Sequence, residues 1–160
     1  MKSKLFSLNT YTFFKIPSLW WSGVRVTQLD DHVAEVSVKH SWVNQNPFNS
    51  IFWAVQGMAA ELSTAIFLMA IIKKSRQSVS MLVLNNKAVF KKKAKGLVKF
   101  HCRQGELASK MVSKAINTGE AVTINLKSMG TDTTGDVVSE FEFKWSVKKK
   151  TKWIKTSTHL

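Results

Sequence analysis

Cysteine is almost absent from this chain of 160 residues. Cys102 stands alone, so an intrachain disulfide is excluded. No group of Cys and His has the spacing of zinc ligands, so no metal is expected. Such thiol usage fits a reducing compartment, and the expected location is cytoplasmic. Proline is nearly as scarce, with two residues. No linker rich in Pro, Gly or Ser and no internal repeat divides the chain, so one domain over 1–160 is expected. Acidic residues are also few. Ten Asp and Glu face 24 Lys and Arg, giving a formal net charge of +14. That excess leaves three readings open: neutralisation of nucleic-acid phosphates, binding of a small phosphorylated ligand or anionic surface, or a solvated lysine face. Apolar residues are not lacking. At 44% hydrophobic, the chain has enough to build a core, which excludes wholesale disorder.

The first 17 residues test for a secretory leader. Lys2 and Lys4 would form its basic start, but Asn9, Thr10, Thr12 and Lys15 interrupt the apolar stretch. No small-residue cleavage site follows. The segment 1–19 reads instead as amphipathic, a short helix with Leu5, Leu8 and aromatic residues on one side.

Farther on, periodicity separates strands from helices. Val24 to Leu29 and Val33 to Lys39 read as strands joined by an Asp30-Asp31 turn. Asn44-Gln45-Asn46-Pro47 marks a loop. From Ile51 to Ile72 the chain is nearly all apolar, with Ser50 as a candidate N-cap and Lys73-Lys74 at the far end. About 22 residues of helix would span about 33 Å. An almost wholly apolar helix is buried in a core or in a membrane. Gln56 and Glu61 weigh against the bilayer, because a carboxylate in hydrocarbon is costly, and the alternating strands need an apolar element to cover. No membrane span is therefore expected.

Downstream, Ser80 to Lys93 and Gly96 to Arg103 read as strands, the second with Val98, Phe100 and Cys102 inward. Glu106 to Ile116 has helical spacing through Leu107, Met111 and Ala115, and Asn117-Thr118-Gly119 ends it. Val122, Ile124 and Leu126 alternate with polar residues. After the Asp132-Thr133-Thr134-Gly135 turn, Val137, Ser139, Phe141, Phe143, Trp145 and Val147 are expected to face in, with Val138, Glu140, Glu142, Lys144 and Lys148 facing out. The residues 149–160 form a basic tail.

This order, two strands, one long helix, then four strands with a short helix among them, resembles the hotdog fold. That is an α+β fold in which a curved antiparallel sheet is wrapped around one long central helix. The segment from Asn46 to Ala54, followed by Glu61, is similar to the helix-leading segment of a bacterial hotdog family of thioesterase-like and domain-of-unknown-function proteins. Members of that family carry Asn, then Gly-Thr, then a Gly-Gly pair, then an acid seven residues past the second glycine. Asn46 matches the Asn and Ser50 stands for the Thr. Trp53-Ala54 occupy the Gly-Gly positions, and Glu61 occupies the acid position. Asn86 to Lys92 resembles the family's strand leading into a basic turn. The resemblance covers about 20–148.

The resemblance implies acyl-CoA thioester chemistry. Hydrolysis needs an activated water or nucleophile and donors for the developing oxyanion. Glu61 would be the base, its pKa raised by Met58, Ala60, Leu62 and Ala65. Backbone N–H groups at the helix start would be the donors, with Asn46, Asn49, Ser50, Trp53 and Ala54 forming the substrate site. Lys91, Lys92, Lys93 and Lys95 would meet the phosphates of coenzyme A, which enters as part of the substrate and not as a cofactor. An indole at Trp53 and a methyl at Ala54 occupy space that glycine leaves to substrate. The expectation is thus an acyl-CoA or related acyl thioester binding protein with weak thioesterase activity at most. A non-catalytic hotdog binding module is the alternative, and a basic nucleic-acid-associated protein is the more distant one. The implied assembly is a homodimer or higher homo-oligomer, with the ligand lying across its interface.

Overall fold

A computed structural model describes residues 2–150. The basic tail expected over 149–160 therefore lies, from 151 onward, outside the described residues. Eleven elements follow in chain order, one of them a single tight helical turn at Trp42–Asn44. The others are α1 (Lys2–Lys15), α2 (Pro17–Trp21), β1 (Arg25–Leu29), β2 (Ala34–Lys39), α3 (Trp53–Ser75), β3 (Val79–Phe90), β4 (Leu97–Cys102), α4 (Gly105–Thr118), β5 (Val122–Thr131) and β6 (Val137–Lys149).

All six strands join one antiparallel sheet in the order β1-β2-β4-β5-β6-β3. The alternation read from sequence sets its inner face. Val36, Val98, Phe100, Cys102, Leu126 and Val147 are buried, and α3 lies across β1, β2, β4, β5 and β6. This is the hotdog architecture. From Leu62 to Leu68 every residue of α3 is buried, so the one helix among the described residues with the length and hydropathy of a membrane span is the core helix of the sheet. Three buried polar pairs lock it there. Ser63 Oγ bonds Ser128 Oγ at 2.8 Å, the Trp145 indole donates to Thr64 Oγ1 at 3.1 Å, and Ser139 Oγ donates to Gln56 Oε1 at 2.9 Å. Each polar atom left alone in such a core would cost about 1–3 kcal/mol.

The two sheet edges differ. At β1, the Asn9 side chain of α1 donates to the Val26 carbonyl and accepts from the Val26 N–H, both at 2.9 Å. The amide thus stands in for a neighbouring strand. At the other end β3 pairs, among the described residues, only with β6, and Leu82, Leu84, Val89 and Phe90 are exposed along it.

Several expectations need correction. The long helix starts at Trp53, not Ile51, and Ser50 does not cap it. The Ile51 N–H is taken by the Ala94 carbonyl and the Phe52 N–H by the Asn44 carbonyl, which hold both residues extended. Strand β3 stops at Phe90 instead of reaching Lys93. Val138 faces in, not out, because it is the extra residue of a β-bulge. Gly130 pairs with Ser139 and Thr131 with Val137, so alternation skips one position. In α4 the buried stripe is Gly105, Ala108, Val112 and Ala115, and Leu107 lies outside it. In α1, Leu5 and Leu8 pack inward as expected, but Phe6 and Phe14 point to solvent on the opposite side.

Candidate functional site

The loop before α3 is built on one side chain. Asn46 Oδ1 accepts from the Phe48 N–H at 3.0 Å, the Ser50 N–H at 3.2 Å and the Ser50 hydroxyl at 3.2 Å. The Asn46 N–H in turn donates to the Ser50 carbonyl. This ring turns the chain through Asn49, which takes a left-handed φ of 55°, a conformation asparagine tolerates better than most residues. Asn46 and Ser50 therefore organise the loop rather than cap the helix. Asn49 points to solvent.

The extended Ile51–Phe52 pair then feeds into α3. Phe52 is its N-cap and supplies no side-chain bond. The N–H groups of Val55 and Gln56 fold back to the Phe52 carbonyl. Those of Trp53 and Ala54 donate to no protein acceptor among the described residues. Two free donors at a helix N-terminus, where the dipole is positive, suit a carbonyl oxygen or oxyanion.

Trp53 borders an open cleft of about 430 Å³ between this loop and the end of β3, lined also by Asn46, Phe48, Ser50, Gln56, Phe90 and Lys91 to Lys93, with Ile51 and Ala94 at its base. Of the residues singled out from sequence, the cleft brings together Asn46, Ser50, Trp53, Lys91, Lys92 and Lys93. Asn49, Ala54, Lys95 and Glu61 are not among its walls.

The lysines divide. Lys91 Nζ lies 2.6 Å from Glu140, and Lys92 Nζ lies 2.6 and 2.7 Å from Asp132 and Asp136. Donating to Asp132 and Asp136 raises the Lys92 pKa, and the same contacts depress both aspartates. Lys93 and Lys95 form no ion pair among the described residues. The charge free to meet a phosphate on this loop is therefore that of Lys93 and Lys95.

Glu61 sits two turns into α3, about 12 Å along the axis from Trp53. It shares a helix face with Trp53, Gly57 and Met58; Trp53 and Glu61 are exposed there, while Gly57 and Met58 are half-buried. Its carboxyl reaches solvent, yet enough protein surrounds it that burial pushes its pKa upward. Among the described residues, no carboxylate or imidazole lines the cleft itself.

A family model described as Domain of unknown function (DUF4442) matches residues 3–147. The chain belongs to this family. No curated protein sequence matches it. Among solved structures, the DUF4442 chain is similar to a protein of unknown function and probable thioesterase from Pseudomonas aeruginosa. The two are 20% identical over 91% of this chain and 96% of that one, with a TM-score of 0.74. A protein of unknown function from Chlorobaculum tepidum superposes at TM-score 0.78, with 12% identity over 93% and 96% of the two chains. A thioesterase from Haemophilus influenzae gives 0.65, with 13% identity over 91% and 90%. These likenesses establish the hotdog fold of the DUF4442 chain.

Gln56 is the site residue that sequence reasoning passed over. In sequence it counts only as a polar residue unsuited to a bilayer. In the fold it is buried at the base of the cleft, its Nε2 donating to the Ile51 carbonyl at 3.0 Å while its Oε1 accepts from Ser139. It fixes the strand-to-helix step that exposes the Trp53 and Ala54 donors. A lone amide early in an apolar helix was the available signal.

Proposed function

We propose that this DUF4442 chain binds acyl thioesters of coenzyme A and hydrolyses them slowly at most. The observation that carries the reading is the pair of free N–H donors on Trp53 and Ala54, of which Trp53 lines a cleft that also holds lysines. The donors would hold the thioester carbonyl. Phe48, Trp53 and Phe90 would cover the acyl group, and Lys93 and Lys95 would hold phosphate.

The base in this proposal is Glu61, and one chain does not bring it to its own donors. The reading therefore includes a homodimer that shares the partly open Trp53–Gly57–Glu61 face. The open, apolar edge of β3 supports that assembly, since an unpaired edge strand is a site for pairing and β1 already has its edge blocked. The absence of a carboxylate or imidazole among the cleft walls favours a second reading, a binding module without turnover.

Titration calorimetry with acyl-CoA, coenzyme A and free fatty acid of equal chain length, beside a hydrolysis screen over short, long and aromatic acyl-CoA, tests both. Tighter binding of acyl-CoA than of either fragment supports the ligand class. Equal affinity for fatty acid and acyl-CoA refutes it. Binding without hydrolysis leaves the module.

A further inference from the structure

The outward face of α1 is aromatic where a surface helix is ordinarily polar. Phe6, Thr10, Phe13 and Phe14 fall at helical spacing on one stripe, and the Thr10 hydroxyl is turned back onto the Phe6 carbonyl at 2.9 Å. Phe6 is 76% exposed and Phe14 72%. The stripe continues into α2. Phe13 meets Phe14 and Trp20 edge-on, with ring centroids 4.9 and 5.3 Å apart, and the Arg25 guanidinium lies 3.6 Å above the Trp20 ring. Trp21 is 71% exposed beside it. The loop from β2 joins the same end of the molecule, because Asn44 Nδ2 donates to the Ser22 carbonyl at 3.0 Å and to the Lys39 carbonyl at 2.9 Å. This bond sets Trp42, 84% exposed, on the same knot of chain as Trp21.

Charge completes the pattern. The two segments that present these aromatics, 1–29 and 36–60, contain no Asp or Glu and carry Lys2, Lys4, Lys15, Arg25 and Lys39. We propose that this aromatic, basic end docks on an anionic lipid surface, lying in the headgroup layer without spanning it. Trp and Phe side chains partition to that layer, and the basic residues add attraction to anionic headgroups. A second copy of the chain is a poorer occupant, since an isologous contact would set like charges against each other. The proposal is independent of the acyl-thioester reading.

Co-sedimentation of the full chain with vesicles of phosphatidylcholine containing about one-third phosphatidylglycerol tests it, beside pure phosphatidylcholine. Binding to the mixed vesicles, a blue shift of tryptophan emission and loss of binding at high salt are expected. Trp21→Ser, Trp42→Ser and Phe14→Ser leave the net charge unchanged, and each should lower the partition coefficient about tenfold with an unaltered circular dichroism spectrum. Unchanged binding in these variants would mean adsorption by overall charge and would overturn the proposal. Absence of binding by the native chain would overturn it too. So would variants that change particle mass in light scattering but not vesicle binding, in favour of self-association.

Discussion

Helix α3 is apolar along nearly its whole length, yet its two halves meet different fates. From Leu62 to Leu68 it is buried among the sheet, α4 and the α1–α2 segment. From Trp53 to Glu61 it keeps one face open, with Trp53 57% exposed beside the cleft. Burial of apolar surface is the default of folding, so the half that forgoes it is where binding chemistry is to be sought.

The sharpest way to break this contrast is truncation. Leu68→Ala deletes a fully buried side chain and should cost about 2–5 kcal/mol. Trp53→Ala removes a larger side chain from the open half and should stay within about 0.5 kcal/mol. Urea unfolding monitored by circular dichroism compares them. Comparable losses at both positions would mean that the open face is packed in solution.

Sequence reasoning reached the sheet and the long helix because both rest on local periodicity. Alternation in Val98, Phe100 and Cys102 and the apolar run of α3 follow from period alone. What it missed depends on partners far away in the chain. The helix start is delayed by Asn44 and Ala94 carbonyls that claim the Phe52 and Ile51 N–H groups. The inward turn of Val138 comes from a bulge defined by β5. Glu61 was expected among desolvating neighbours of its own helix, but which face of an apolar helix stays open is decided by the sheet. The site was legible as a segment, Asn46 to Ala54, and not as a constellation.

Glu61 sharpens the contrast on the open side. If it is the base of the proposed hydrolysis, Glu61→Gln should lower turnover of acyl-CoA by about 10² or more while ligand affinity holds. Stability should move the other way. Burial raises the Glu61 pKa, so the folded state holds this proton more tightly than the unfolded chain does. Ionisation therefore weakens the fold as pH rises above the unfolded glutamate value of about 4.3. Glutamine removes that penalty, so the variant should gain slightly in urea midpoint at neutral pH and match the native chain in acid. Hydrolysis that persists in Glu61→Gln would leave its carboxylate without a catalytic part. Opening the helix start by Trp53→Gly with Ala54→Gly should raise turnover, and no turnover even then would leave only the binding module.

A smaller effect is expected from the lysine loop. Lys93→Ala with Lys95→Ala removes the two unpaired charges and should weaken acyl-CoA binding about tenfold at low salt, less as salt rises, at about 1 kcal/mol or less for each exposed contact. Lys91→Ala should do less, because its charge is already matched by Glu140. Calorimetry at two salt concentrations separates them. A greater loss for Lys91 than for the unpaired pair would reverse the assignment of phosphate contacts.

The smallest effect concerns Lys92, which belongs to the scaffold of the cleft in the way Leu68 belongs to the core. Its ammonium ties β3's end to the turn between β5 and β6. There, Asp132 Oδ1 also accepts from the Thr134 and Asp136 N–H groups at 3.0 Å each. The lysine's pKa is raised and those of Asp132 and Asp136 are depressed. The carboxylates' contribution is present above their unfolded value of about 3.9 and is lost as pH falls through their lower folded values. The ammonium's contribution is present below about 10.4 and is lost as pH rises through its folded value. Lys92→Met should therefore lower the urea midpoint at neutral pH by a small margin, since Lys92 and Asp136 face solvent and their attraction is screened. The difference from the native chain should shrink as pH drops below about 4 and as salt rises. A difference that stays constant from neutral pH into acid would mean that the lysine stem's packing, not its charge, holds the turn.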